Sequence, residues 1–323
     1  MYAMHFSGQQ ARWQETAELD PPRPGEVQLR VAYAGVNRAD LMQRAGHYPP
    51  PPGVSDIPGL EVSGTVIGVG ANVRSLAAGD EVCALLAGGG YAEKVNVDAR
   101  QVLPLPRGFS LRDGAALPEV FATAWLNLFM EGNLQPGERV LLHAGASSVG
   151  RAAIQLCRAF DRPCFVTAGS QAKLDACAAL GADEGFNRHD GSFVDAVKAW
   201  GGADVIVDPV GASYLPDNQR VLNADGRLVL IGLMGGRHAE LDMGRMLVKR
   251  QRLIGSTLRG KSPAAKGEIM QALYTHVWPL LESARLNIQL DRCWPIEEVN
   301  DAHACMEQNA NAGKLVLHIS ARQ

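Results

Sequence analysis

The chain has 323 residues, 46% hydrophobic and 20% charged, with a formal net charge of −3. That length favours two domains, and the near-neutral balance, with no block of five or six like charges, gives no footing for nucleic acid. No basic-then-apolar opening and no apolar run long enough for a bilayer occur, so a soluble, cytoplasmic protein without a membrane partner is expected. The cysteines Cys83, Cys157, Cys164, Cys177, Cys293 and Cys305 form no C-x-x-C pair, which argues against a disulfide framework and against a structural zinc site.

Up to about Pro118, short apolar runs at 27–31, 61–69, 81–86 and 93–97 are separated by Gly and Pro clusters at 48–53 and 88–90, the pattern of a mostly β domain. Within it, 41–45 is predicted as a short helix with Asp40 as its N-terminal cap. Beyond Pro118, strand-like runs at 139–143, 163–167, 203–208 and 227–231 alternate with helical stretches at 151–160 and 173–180. Such alternation builds a parallel sheet covered by helices on both faces. Segment 252–258 reads as an edge strand, where a second copy would pair. A helix over 266–281 and strands at 292–296 and 314–319 follow, and are assigned back to the first domain. The expected fold class is therefore α/β: a mostly β domain from 1–121 and 261–323, and a doubly wound parallel-sheet domain from 122–260.

The strongest chemical signal is the first turn of the parallel sheet, His143-Ala144-Gly145-Ala146-Ser147-Ser148-Val149-Gly150, which follows a strand and opens a helix expected near Arg151. A pyrophosphate site needs a backbone thin enough to approach and a helix N-terminus with free N–H groups. The run reads G-x-S-x-x-G and departs from the G-x-G-x-x-G fingerprint at Ser147; the alternative is a tight turn that binds nothing. An acidic residue about 20 positions further on would select NADH. None stands there. Gly169, Ser170 and Lys173 instead offer N–H groups, a hydroxyl and a cation to a 2′-phosphate, which favours NADPH, although Lys173 also reads as an ordinary solvated residue. Arg188 either approaches the adenosine or is simply exposed. Gly232, Leu233 and Met234 lie at a strand end, where either a close ligand or a tight turn explains small residues. His143 is expected to pack rather than bind.

The segments 35–40, 58–64, 143–150, 167–173 and 232–236 resemble the medium-chain dehydrogenase/reductase superfamily, in its quinone oxidoreductase, zeta-crystallin-like branch. The runs at 37–44 and 167–171 and the Gly-Leu-Met-Gly-Gly segment look most like the tumour-suppressor-inducible NADPH quinone oxidoreductases. The resemblance spans nearly the whole chain and implies a GroES-like β domain with a Rossmann domain inserted into it. It places the nicotinamide near Asn37, Asp40 and Tyr48, and adds Thr123 and Leu258 to the cofactor contacts. The three catalytic zinc ligands of the superfamily's alcohol dehydrogenases correspond to Asn37, Leu60 and Glu119, which suit zinc poorly, so no metal is expected. The implied activity is zinc-independent reduction of a quinone or enone by NADPH, in a homodimer or homotetramer. Tyr48 would donate to a developing oxyanion, or would merely pack beside the proline turn. The alternatives are an alkenal or enoyl reductase of the same fold and an NADPH-binding protein with no turnover; RNA binding is the weakest.

Overall fold

The computed structural model describes residues 1–8 and 10–320, in two units, Met1–Val120 with Arg259–Gln323 and Phe121–Leu258. In chain order the first holds β1 (Tyr2–Ser7), β2 (Gln10–Glu15), β3 (Glu26–Gly35), α1 (Arg38–Arg44), β4 (Glu61–Val69), β5 (Glu81–Leu85), β6 (Lys94–Asp98), β7 (Val102–Pro104) and α2 (Leu111–Gly114). Helix α3 (Pro118–Trp125) carries the chain onward into β8 (Val140–Leu142), α4 (Ser148–Ala159), β9 (Cys164–Ala168), α5 (Gln171–Leu180), β10 (Glu184–Asn187) and α6 (Val194–Trp200). The second unit closes with β11 (Ala203–Asp208), α7 (Leu215–Val221), β12 (Leu222–Leu230), α8 (Met243–Lys249) and β13 (Arg252–Gly255). The chain then returns to the first through α9 (Pro263–His276), α10 (Trp278–Glu282), β14 (Leu290–Pro295), α11 (Val299–Glu307) and β15 (Lys314–His318).

In the β-rich unit the strand order is β14-β15-β3-β4-β5-β7, with β6 also on β3. The long β3 buries alternate residues, Val27, Leu29 and Val31, against Val62, Val66, Val82, Leu315 and Leu317, as a strand with one core-facing side should. Strand β15 pairs antiparallel with β3, so a segment more than 270 residues downstream completes the sheet.

The second unit is a six-stranded parallel sheet ordered β10-β9-β8-β11-β12-β13. Its inner strands β8 and β9 are buried along their whole length, which is why they read as unbroken apolar runs. From β8 the chain winds outward through β9 and β10, then returns to the other side of β8 at β11. That reversal is the topological switch point, beyond whose carboxyl ends ligands of such sheets bind. The fold class expected from the sequence is thus the one present.

Three predicted boundaries need correction. Helix α1 starts at Arg38 with Asn37 as its N-cap, so Asp40 is not the cap; it sits one turn in, with its carboxylate accepting from the Asn37 N–H at 2.8 Å. Helix α4 starts at Ser148 rather than near Arg151, because Ser147 caps it. The predicted helix 266–281 breaks at Val277: Pro279, at the start of α10, has no N–H to continue the ladder. Strand β13 is a sheet edge as expected, and the neighbouring α8 buries none of its residues, with Met243, Leu247 and Val248 all more than 70% exposed.

Candidate functional site

In the parallel-sheet unit the turn after β8 is held by its own packing. A Cβ on Gly150 would lie 2.5 Å from the Gly145 carbonyl oxygen, and one on Gly145 would lie 2.8 Å from Val166 Cβ, so both positions admit only glycine. Ser147 Oγ accepts the Gly150 N–H at 3.1 Å. The side chain that breaks the glycine fingerprint therefore serves as the N-cap, satisfying one orphan donor. Among the described residues the N–H groups of Ser148 and Val149 keep no partner, and with the α4 dipole they offer an anion site. Ala146, Ser148 and Val149 are partly open to solvent and Ser147 is exposed. The fit to a pyrophosphate is good.

At the end of β9, Ser170 caps α5 by accepting the Lys173 N–H at 3.3 Å, and Lys173 itself is exposed. The Arg188 guanidinium packs over Gly169, where a Cβ would lie 3.2 Å from Nε. The Ser170 hydroxyl and the Arg188 guanidinium thus lie at the end of β9, and Lys173 follows in the first turn of α5, with no acid at the strand end. Gly232 is fixed by Pro209, whose carbonyl oxygen would lie 2.8 Å from a Cβ there, while Leu233 and Met234 are 50% and 61% exposed. Thr123 is partly exposed, its carbonyl accepting from Asn127 at 2.7 Å, and Leu258 is buried.

His143 packs, as expected, but within a polar chain. Its Nδ1 lies 2.9 Å from Thr167 Oγ1 and its Nε2 2.7 Å from Asn218 Oδ1, and Asn218 Nδ2 donates to Asp208 at 3.0 Å. That amide orientation puts the imidazole proton on Nε2 and makes Nδ1 the acceptor of the Thr167 hydroxyl. Burial pushes the imidazole down to about 4, so it is neutral at pH 7. Burial likewise pushes Asp208 up to about 6, although the Val210 and Gly211 N–H groups and Asn218 donate to it.

The β-rich unit contains an ionic cluster. Lys314, at the start of β15, places Nζ 2.5 Å from Glu61 Oε1 and 2.6 Å from Asn37 Oδ1; Lys314 and Glu61 are buried and Asn37 is partly buried. Asn37 Nδ2 donates to the same Glu61 oxygen at 3.0 Å, and the Glu119 N–H donates to Glu61 Oε2 at 2.9 Å. Gly35 lets that carboxylate lie flat on β3, because a Cβ would collide with it. Asp40 is fully buried one turn away and accepts from Asn37 N, from Tyr91 Oη at 2.9 Å and from Gly59 N at 3.3 Å. Burial still raises it to about 6. The Tyr48 ring lies under the Arg259 guanidinium, 5.2 Å from its centroid, and Arg259 also donates to the Tyr48 carbonyl at 3.0 Å. Among the described residues the Tyr48 hydroxyl has no partner.

Residues 23–107 match the family described as alcohol dehydrogenase GroES-like domain, and residues 148–274 match the family described as zinc-binding dehydrogenase. The chain is 32% identical over 312 residues to the synaptic vesicle membrane protein VAT-1 homolog of Rattus norvegicus, covering 92% of this chain and 77% of that one. It is 30% identical over 303 residues to quinone oxidoreductase-like protein 2 of Bos taurus, covering 93% and 86%. The chain belongs to the medium-chain dehydrogenase/reductase superfamily, in its quinone oxidoreductase branch. Among solved structures, the CurK enoyl reductase aligns over 99% of both chains with a TM-score of 0.85 at 26% identity.

Within this superfamily the zinc question is decided by the donors present. Leu60 is a buried hydrocarbon, and Asn37 already holds an ammonium ion at 2.6 Å. Zinc prefers nitrogen and sulfur in a three-ligand cage, and this set offers an amide oxygen, a carboxyl and a resident cation. The residues do not fit the metal. Sequence reasoning located Asn37, Asp40 and Tyr48 but missed Glu61, Tyr91, Arg259 and Lys314. The spacing Asn-x-x-Asp at 37–40, a capping-box pattern, was the one local signal that places Asp40 inside the helix.

Proposed function

We propose that the chain is an NADPH-dependent oxidoreductase that reduces a quinone or similarly conjugated carbonyl compound without a metal ion. The observation that carries this reading is the buried Lys314–Glu61 pair with Asn37 bound to it, since Asn37 is one of the three positions, with Leu60 and Glu119, that the family resemblance equates with the metal ligands of zinc-dependent relatives. With no Lewis acid to polarise a simple carbonyl, the substrate must be one that already accepts electrons readily.

The bound dinucleotide would supply a hydride. Its pyrophosphate would rest on the N–H groups of Ser148 and Val149, with Gly145, Ala146, Ser147 and Gly150 keeping the backbone thin there. Gly169, Ser170, Lys173 and Arg188 would take the 2′-phosphate. Thr123, Gly232, Leu233, Met234 and Leu258 belong to this reading as further cofactor contacts. Tyr48, steadied by Arg259, offers its unpartnered hydroxyl to the substrate oxygen. Asn37 is committed to Glu61 and Lys314 and acts by holding that pair. Asp40 organises α1 and Tyr91 and carries no proton in the reaction. The likeness to an enoyl reductase supports an activated enone or enoyl thioester as the second substrate class.

A panel of quinones, enals and enoyl thioesters, run with NADPH and with NADH and with and without a chelator, tests the proposal. Oxidation of NADPH by quinones, untouched by the chelator, is expected; preference for NADH, or activity lost on chelation, overturns it. The open edge of β13 and the exposed apolar face of α8 support pairing with a second copy, as a dimer or half of a tetramer. A light-scattering mass of one chain at micromolar concentration removes that part.

A further inference from the structure

The first turn of α4 holds a charge that the helix itself disfavours. Arg151 is the fourth residue of α4, where the positive end of the dipole opposes a cation, and no acidic residue stands in that turn to offset it. Its guanidinium nevertheless folds back on the turn after β8, with Nε donating to the Ala146 carbonyl at 3.3 Å. The charge also reaches the thiol of Cys177, whose Sγ would lie 3.4 Å from a Cβ on Gly145. Both contacts put the cation against the glycine turn and not out on the solvent face of the helix. Arg151 is only partly exposed, and its Nη1 and Nη2 make no hydrogen bond or ion pair with the described residues. The guanidinium is thus tied down by one N–H and keeps a two-pronged donor edge unclaimed.

A pyrophosphate brings more negative charge than backbone N–H groups and a helix dipole of roughly half a unit charge offset. His143, the other basic residue in the run 143–151, is held neutral by burial. Lys173 and Arg188 stand at the end of β9, the place read above for the 2′-phosphate. From this arrangement we propose that Arg151 is a cofactor-binding residue whose guanidinium fork takes the pyrophosphate. The cofactor's phosphates are then held by separate cations: Arg151 for the part that NADPH and NADH share, Lys173 and Arg188 for the part that distinguishes them. A planar fork matches two phosphate oxygens, and the Ala146 bond fixes its orientation in advance. The bound anion also removes the conflict with the dipole, so the arginine that opposes the empty helix supports the loaded one. The inference rests on the dinucleotide reading given above.

Arg151→Gln is the variant that tests it, because glutamine Nε2 hangs from Cδ as arginine Nε does and can keep the Ala146 bond while charge and fork are lost. Binding of NADPH and NADH is read by fluorescence titration, and binding of ADP and 2′-AMP by displacement of NADPH. NADPH, NADH and ADP should each bind on the order of 10-fold more weakly in Arg151→Gln, the lower end for a hydrogen bond to a charged group. The affinity for 2′-AMP should stay as in wild type, and Arg151→Lys should recover part of the loss. Urea unfolding of the ligand-free protein should show no loss of stability in Arg151→Gln, since a cation leaves the positive end of a helix. Unchanged affinity for ADP, or a loss confined to NADPH and 2′-AMP, overturns the proposal. So does an equal loss for all four ligands with a lower unfolding midpoint, which would make Arg151 a brace of the turn. A wild type that binds none of the four removes the dinucleotide reading and this inference together, whereas wild-type binding that the glutamine variant keeps in full removes the inference alone.

Discussion

The two units solve the problem of burying polar groups in opposite ways. The parallel-sheet unit uses a hydrogen-bonded chain, Thr167–His143–Asn218–Asp208, in which the imidazole is held uncharged and the one carboxylate, Asp208, is held by amide and backbone donors instead of a counter-ion. The β-rich unit uses full charges, Lys314 on Glu61, backed by Asn37. A chain of single hydrogen bonds with several donors on its carboxylate loses little when one link is cut, whereas a buried ion pair is costly to break because the survivor is left charged and unsolvated. The polar groups of the first scheme are thus replaceable in small steps; those of the second stand or fall as a set.

The sharpest way to break this contrast is Lys314→Met, which keeps the side-chain length and removes the charge. Unfolding in urea should show a loss of about 3–5 kcal/mol, the cost of leaving a buried charge without its partner. Adding Glu61→Gln should recover much of that loss. Equal losses in single and double variants would mean that packing, not charge, is what Lys314 supplies. In the parallel-sheet chain, Asn218→Ala orphans His143 Nε2 and removes one of the donors to Asp208, and should cost about 1–3 kcal/mol by the same measurement. A loss as large as that of Lys314→Met would erase the distinction between the units. The smallest effect belongs to Ser147→Ala, which removes only the α4 cap and should cost about 1 kcal/mol. Its NADPH affinity, read by fluorescence titration, should change little, since the N–H groups assigned to the pyrophosphate are those of Ser148 and Val149.

The same contrast explains what could be read from the sequence. The alternation of apolar runs and helical stretches after Pro118 is a local pattern, and the parallel sheet follows it. The turn at 143–150 was legible because all of its parts are contiguous: strand, small residues, cap and helix. Even there the glycine fingerprint alone points to a helix start near Arg151, three residues late, because Ser147 breaks the glycine pattern in order to act as the cap. The ionic cluster was not legible. Its members lie on β4, α1, α3 and β15, and Lys314 opens an apolar strand with nothing nearby to distinguish it from a surface lysine. Glu119 was visible only as a poor zinc ligand, since its pairing with Glu61 is made by a backbone N–H that no side-chain pattern announces. Likewise, Arg259 and Tyr48 meet across 211 positions of chain.

The return of the chain to β15 has a consequence for biogenesis. While the polypeptide is being made, Glu61 is synthesised long before the lysine that neutralises it, and β3 waits for its last neighbour until almost the whole chain has emerged. All six strands of the parallel sheet lie between those two events, so that unit can finish folding first, and the β-rich unit closes last. A product truncated before β15 would carry a desolvated carboxylate and an unpaired strand, which marks it for aggregation or removal by proteolysis.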